Sequence, residues 1–222
     1  MSRQLRSASK RSIKATVKTP PPKVVTSVPT ALVTSTNLDS QLFSDATAWE
    51  TWLQTNHDSH AGLWLRLSKK NSGVASVTYD EALDAALCYG WIDGQKKSYD
   101  DMCFLQRFTP RRKASIWSKR NVNKVAQLIE SGRMRPPGQT EIDAAKADGR
   151  WERAYSGSST AEVPADFQAA LDADGHAAEF FKTINRTQRY SFLFRLETAK
   201  RPDTRQKRIE QFVKLLADEK CL

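Results

Sequence analysis

The residues best suited to chemistry lie between Tyr89 and Asn121. Arg107-Phe108-Thr109-Pro110-Arg111-Arg112 places guanidinium groups on both sides of a proline bend, and Ser115, Trp117, Ser118 and Asn121 follow it closely. Guanidinium forks beside hydroxyls that can cap a helix make a pocket for phosphate or carboxylate. Trp91 and Asp93, bracketed by Gly90 and Gly94, add an aromatic face and a carboxylate at a tight helix-to-strand transition. The candidate ligand-binding residues are therefore Trp91, Asp93, Arg107, Arg111, Arg112, Ser115, Trp117, Ser118 and Asn121. The same residues also admit a purely structural arrangement. Arg107 and Arg111 then pair with Asp93, Asp100 or Asp101 and brace a sheet, while Trp91 and Trp117 fill a core.

Other chemistries find less support. His57 and His60 are close in sequence, but the spacing does not supply the carboxylate or thiolate partners of a metal site, and His176 follows a glycine at an expected helix start. Cys88, Cys103 and Cys221 have no metal-ligand spacing, and Cys88 falls on an apolar helix pattern where a buried inert thiol is expected. The chain has no Gly-rich nucleotide loop, no Gly-x-Ser-x-Gly elbow and no His-Glu-x-x-His pair. No catalytic residue, metal ligand or cofactor is assigned on these patterns.

A formal charge of +10 over 222 residues suggests a nucleic-acid partner until it is divided along the chain. Arg3, Arg6, Lys10, Arg11, Lys14, Lys18 and Lys23 face only Asp39 before position 41, so the start holds +6 and the remainder +4. Residues 1–40, rich in Ser, Thr, Pro and base, are expected to form a disordered tail. Nucleic acid is a possible partner through that tail. The absence of a long apolar run argues against a membrane span and points to a cytoplasmic protein, with mitochondrial or nuclear addressing by the tail as alternatives.

The elements that must position the candidate site follow from periodicity. Ser44 is expected to cap a helix with Ala48, Trp49, Trp52 and Leu53 on one face, with Phe43 stapled against it. A strand at 62–67 precedes Thr78-x-x-Glu81, a capping-box pattern that opens a helix running to Gly90. Segments 92–97 and 102–108 read as a hairpin. Helices follow around 122–129, after a break at Pro136-Pro137-Gly138, and four times in the last third: from Pro164, around 177–184, from Thr187, and from an Asp203/Gln206 cap. The expected fold is α+β and mainly helical, a small antiparallel sheet packed with helices plus a C-terminal helical unit. The folded region spans 41–220, divided into 41–155 and 160–220.

Several of these segments, in order, resemble the YdeI/OmpD-associated, or bacteriocin-protection, family. They are Tyr79-Asp80-Glu81-Ala82, Gly90-Trp91-Ile92-Asp93-Gly94, Arg107-Phe108-Thr109-Pro110-Arg111 and Trp117-Ser118-Lys119-x-Asn121. Gly132-Arg133-Met134, Asp148-Gly149-Arg150-Trp151, Ala154-Tyr155, Val163-Pro164-x-Asp166-Phe167, Thr204-Arg205 and Arg208-Ile209 continue the likeness from about Phe43 to Ala217. The resemblance implies protection against bacteriocins or cationic antimicrobial peptides and brings no established catalytic residues. With the Arg-rich helix start, it predicts a non-catalytic stress-resistance protein that binds an anionic small molecule or an acidic protein partner. The alternatives are an enzyme using Asp93 with the neighbouring arginines, and a weak nucleic-acid binder.

Overall fold

A computed structural model describes residues 40–222, and the expected tail with its addressing signals lies in residues 1–39, outside the described part. The described chain is α+β and mainly helical, with eight helices and one four-stranded sheet of order β1-β2-β4-β3. The strands are β1 (Ser40–Gln41), β2 (Leu63–Ser68), β3 (Trp91–Ser98) and β4 (Cys103–Pro110). The hairpin forms as its pattern requires, with β3 and β4 antiparallel and β2 antiparallel to β4. One expectation needs correcting. The sheet is mixed, because β1 adds to β2 in parallel, a pairing too short for any periodicity to announce.

One core holds α1 (Ala46–Asn56), α2 (Tyr79–Cys88), α3 (Lys119–Glu130) and α4 (Pro136–Ala147), with α2 against β3 and the other three helices packed around α2. Leu63, Leu65 and Leu67 alternate inward from β2 and meet Trp49, Leu53, Leu83, Leu87 and Phe108 in a single core. The α2 capping box is complete: Glu81 N–H donates to Thr78 Oγ1 at 3.3 Å, and Thr78 N–H to Glu81 Oε2 at 2.9 Å. Asp45, not Ser44, caps α1. Its carboxylate accepts the Ala48 amide at 2.9 Å, while Ser44 Oγ donates to Asp45. A carboxylate one residue nearer the helix outcompetes the hydroxyl for the dipole's positive end.

The Pro136-Pro137-Gly138 segment is no break. It is the first turn of α4, where a missing proline N–H costs nothing. Gly138 lets α4 approach α2 so closely that an added Cβ would lie 2.4 Å from the Cys88 carbonyl oxygen. Gly90, at φ +74°, ends α2 in the left-handed region that glycine tolerates.

A second core is built by α5 (Ala165–Asp172), α6 (Gly175–Thr183), α7 (Arg186–Glu197) and α8 (Pro202–Ala217), around Phe167, Phe192, Leu196, Phe212 and Leu216. Three helix starts differ from expectation. Pro164 is the cap residue and not a first-turn residue of α5, an Asn185–Gln188 capping box opens α7 ahead of Thr187, and α8 starts at Pro202 with no side-chain cap from Asp203. Asp203 still sits in the first turn, where its charge favours the dipole. The two cores join through Ser156: its N–H and Oγ both donate to the Glu197 carboxylate at 3.0 Å, and its carbonyl accepts Tyr190 O–H at 2.8 Å.

Candidate functional site

Arg111 follows the last residue of β4, its backbone N–H held by the Gly90 carbonyl at 2.9 Å. That bond ties the Pro110 bend to the α2 stop, and it turns the Arg111 side chain inward, where only 7% of the residue is exposed. The guanidinium carbon lies over Trp117, 3.5 Å from the ring centroid, and Nη1 donates to the Ile116 carbonyl at 3.4 Å. Nε and Nη2 are buried with no partner, and so is Nε1 of Trp117 beneath them. Nε–H and the adjacent Nη2–H form the side-on fork of an arginine, the geometry that matches the two oxygens of a carboxylate or phosphate. Trp and Arg are donors only, so this stack presents three N–H groups and no acceptor.

The surroundings are aromatic and charged. Burial pushes the Arg111 guanidinium down to about 10, an effect opposed chiefly by the Glu141 carboxylate and more weakly by Asp93, and reinforced by the Arg150 cation. Asp93 accepts the Tyr79 hydroxyl at 2.7 Å, and Arg120 Nη1 reaches the same oxygen at 3.4 Å while its Nη2 pairs with Asp80 at 2.7 Å. Burial and the neighbouring Asp93 carboxylate push Tyr79 up to about 12, so it remains a hydrogen-bond donor across the ordinary pH range. Tyr155 is raised by burial and by Asp93, with a hydrogen bond to Ser118 acting the other way.

The structure brings together only some of the residues selected by sequence. Trp91 is sealed in the core, its Nε1 donating to the His57 carbonyl at 2.9 Å. Arg107 meets Trp64, its register partner on β2, whose ring lies 5.7 Å from its guanidinium carbon, while Arg111, four residues on and past the Pro110 bend, leaves that face for the core. Arg112 is exposed, and Ser115 Oγ accepts its backbone N–H at 3.0 Å in a turn that leads into the Arg111 stack. Neither Arg107 nor Arg111 makes an ion pair with Asp93, Asp100 or Asp101 among the described residues.

The start of α3 also differs from an open anion cradle. Ser118 caps it by accepting the Asn121 amide at 3.2 Å, the Tyr155 carbonyl takes the Lys119 amide at 2.8 Å, and the Ser118 carbonyl takes that of Val122 at 3.0 Å. Most of its first amides are thus occupied, and Asn121 is buried. The buried donors left without partners at this corner are therefore those of the Arg111–Trp117 stack.

Sequence reasoning passed over Tyr79, Arg120, Tyr155 and Arg150 as site residues. Arg150, 7% exposed, holds the Ser115 carbonyl with Nη1 at 2.9 Å and the Asp148 carboxylate with Nε at 2.7 Å, so it fixes the turn beside the stack. Tyr155 arrives through a lone parallel bridge to Ser118, a contact across a long separation that leaves no periodic trace. Cys88 is buried and its thiol is pushed up to about 11 by that burial, as an inert core cysteine would be.

Residues 41–141, which contain the Arg111–Trp117 stack, match a family model described as Domain of unknown function (DUF8412). No curated protein and no solved structure matches the chain. The likeness noted from Phe43 to Ala217 thus divides between two descriptions along the same line as the two cores. Residues 160–219, the C-terminal helical unit, match the family model described as Bacteriocin-protection, YdeI or OmpD-Associated.

Proposed function

We propose that the protein is a binding module of the YdeI/OmpD-associated type that captures a carboxylate- or phosphate-bearing small molecule on the Arg111 fork. The observation that carries this reading is the set of three unpartnered buried donors, Arg111 Nε and Nη2 and Trp117 Nε1, in one stacked pair. A buried cation with no carboxylate in hydrogen-bonding contact is unfavourable even with Glu141 and Asp93 in its neighbourhood, and an incoming anion relieves both its desolvation and its unmade hydrogen bonds. Tyr79 and Asp93 form an ordered donor–acceptor pair at 2.7 Å, and Asp93 is near enough for its charge to act on Arg111. The description matched by residues 160–219 supports reading the protein's role as protection against bacteriocins, with the Arg111 fork as its proposed ligand site in residues 41–141.

Thermal unfolding of the full chain in increasing inorganic phosphate, acetate and citrate tests the proposal. The midpoint is expected to rise with one or more of these anions, and Arg111→Met is expected to abolish the rise. A host challenged with bacteriocin should lose protection with the same variant. An unchanged anion response in Arg111→Met sinks the site, while a lost anion response with intact protection separates the binding from the biological role.

A further inference from the structure

Arg111 Nε and Nη2 and Trp117 Nε1 are sealed from water as well as unpartnered. Phosphate and acetate are larger than water, so an anion reaches these donors only after part of their surroundings moves. The two halves of the stack are poor candidates for that movement. The Arg111 amide is tied to the Gly90 carbonyl at 2.9 Å, and Gly90 lies so close to α4 that an added Cβ would be 3.1 Å from the Pro137 carbonyl oxygen. Trp117 is fixed through its carbonyl, which accepts the Tyr155 amide at 2.9 Å, and its ring centroid lies 4.9 Å from that of Trp151.

The five residues that join these halves are held differently. In the turn from Arg112 to Ile116 no residue is buried, and Ile116 is 40% exposed despite its apolar side chain. The turn is braced internally, with Ser115 N–H donating to the Arg112 carbonyl at 2.8 Å and Arg112 N–H to Ser115 Oγ at 3.0 Å. Two hydrogen bonds among the described residues attach it to what lies around it. Arg111 Nη1 donates to the Ile116 carbonyl at 3.4 Å, a long and weak contact, and Arg150 Nη1 donates to the Ser115 carbonyl at 2.9 Å. Arg150 is itself clamped at the end of α4, where its Nε lies 2.7 Å from Asp148 Oδ2. A segment with anchored ends, no buried side chain and so few attachments opens locally at a small cost in free energy.

We propose that the turn from Arg112 to Ile116 is a gate over the Arg111 fork, latched by Arg150, and that the anion enters when the latch releases. The inference rests on reading the fork as an anion site. Ile116, through its carbonyl, brings the turn against the guanidinium, and Arg150 acts as a positioning residue that holds a main-chain carbonyl of the turn. Because both ends are anchored, opening uncovers Nε and Nη2 while Arg111 stays stacked on Trp117. The closed form does not bind, so the apparent affinity is lowered by the fraction of molecules that are open. A weaker latch therefore tightens anion binding.

Phenylglyoxal, which modifies accessible guanidinium groups, tests the gate on the full chain with no anion added, and peptide mass spectrometry reads each arginine separately. In the native chain Arg111 is expected to react at least about tenfold more slowly than the exposed Arg112. Arg150→Lys keeps the charge and loses the planar fork that reaches both Asp148 and Ser115. Loss of one charge-assisted hydrogen bond favours the open form by about tenfold, and Arg111 labelling should accelerate to match while that of Arg205 stays unchanged. The double variant Lys113→Gly, Ala114→Gly changes two exposed residues and only loosens the backbone of the turn, so it keeps the test sound if Arg150→Lys does not fold; an acceleration of about fivefold is expected. Both variants should also show their rise in thermal midpoint at lower phosphate concentration than the native chain. Arg111 labelling as fast as that of Arg112 in the native chain, or equal Arg111 rates in the native and loosened chains, overturns the gate. Faster labelling with phosphate binding weakened or unchanged overturns it as well. Because the labelling needs no anion, the two readings fail separately: gated labelling with no phosphate response in any variant sinks the anion site, and ungated labelling beside a phosphate response that Arg111→Met abolishes sinks the gate alone.

Discussion

Arg205 and Arg111 use the same two nitrogens in opposite ways. In the C-terminal unit, Arg205 Nε and Nη2 grip the Asp166 carboxylate at 2.6 and 2.8 Å, and Nη1 closes the end of α7 at the Leu196 carbonyl, 2.7 Å away. Arg208 likewise donates to the Arg195 carbonyl. Arg189 is intermediate, lying over Phe181 with Nη2 shared between the Phe181 and Lys182 carbonyls. At Arg111, by contrast, the Nε/Nη2 fork is buried against Trp117 and engages nothing. The electrostatics follow the geometry: the Asp166 partner raises Arg205, while burial lowers Arg111 to about 10. The Arg205–Asp166 pair is an internal template for the anion proposed at the Arg111 fork, where two nitrogens lack partners against one each, Nε, in Arg66 and Arg189.

The largest expected effect tests whether the two regions are energetically separate. Phe212→Ala removes a fully buried ring packed on Phe167 and Phe192, and should cost the C-terminal core about 3–5 kcal/mol. If the regions are separable, chemical denaturation will show an early transition for this variant, and the Arg111 region will keep its anion response up to the second one. Next is Arg205→Met, which strands the Asp166 carboxylate and the Leu196 carbonyl. Both charges are partly exposed, so a loss of about 1 kcal/mol in urea unfolding is expected.

Tyr79→Phe should cost a similar amount, about 1 kcal/mol at neutral pH, through loss of the Asp93 hydrogen bond. Its pH dependence has a definite sign. The folded-state value is raised from 10 to about 12, so the Tyr79 contribution is complete below pH 10 and disappears as pH climbs from 10 through about 12. Urea midpoints of the native chain and the variant should therefore converge over that interval, and a difference that persists above it would contradict the assignment. The smallest effect sharpens the comparison most. Arg111→Met should change stability by less than about 1 kcal/mol without added anion, in either direction, because it removes an uncompensated buried charge and keeps the volume over Trp117. A loss as large as that of Arg205→Met would mean that Arg111 is structural.

The elements themselves were legible in the sequence, since capping boxes, glycine stops and the α8 stripe of Ile209, Phe212 and Leu216 are local signals. The site was legible only in outline. Arg107, Arg111 and Arg112 look equivalent as a run, and only strand alternation and the Pro110 bend decide that Arg107 meets Trp64, Arg112 meets solvent and Arg111 enters the core. Nor does any local pattern tell that the Tyr155 carbonyl will occupy the start of α3, or that Tyr79 will reach Asp93 across the gap between α2 and β3. Those contacts arise from packing between distant segments, and they determine which donors are left for a ligand.

The central claim concerns two hydrogens of one side chain, and nitrogen-detected NMR of arginine side chains observes them directly. With phosphate or acetate titrated into the full chain, the Arg111 Nε–H signal, assigned by its loss in Arg111→Lys, should shift and saturate with a single dissociation constant while that of Arg205 stays fixed on Asp166. An Arg111 signal that does not move, with only small unsaturating shifts at exposed arginines such as Arg112, would contradict the account.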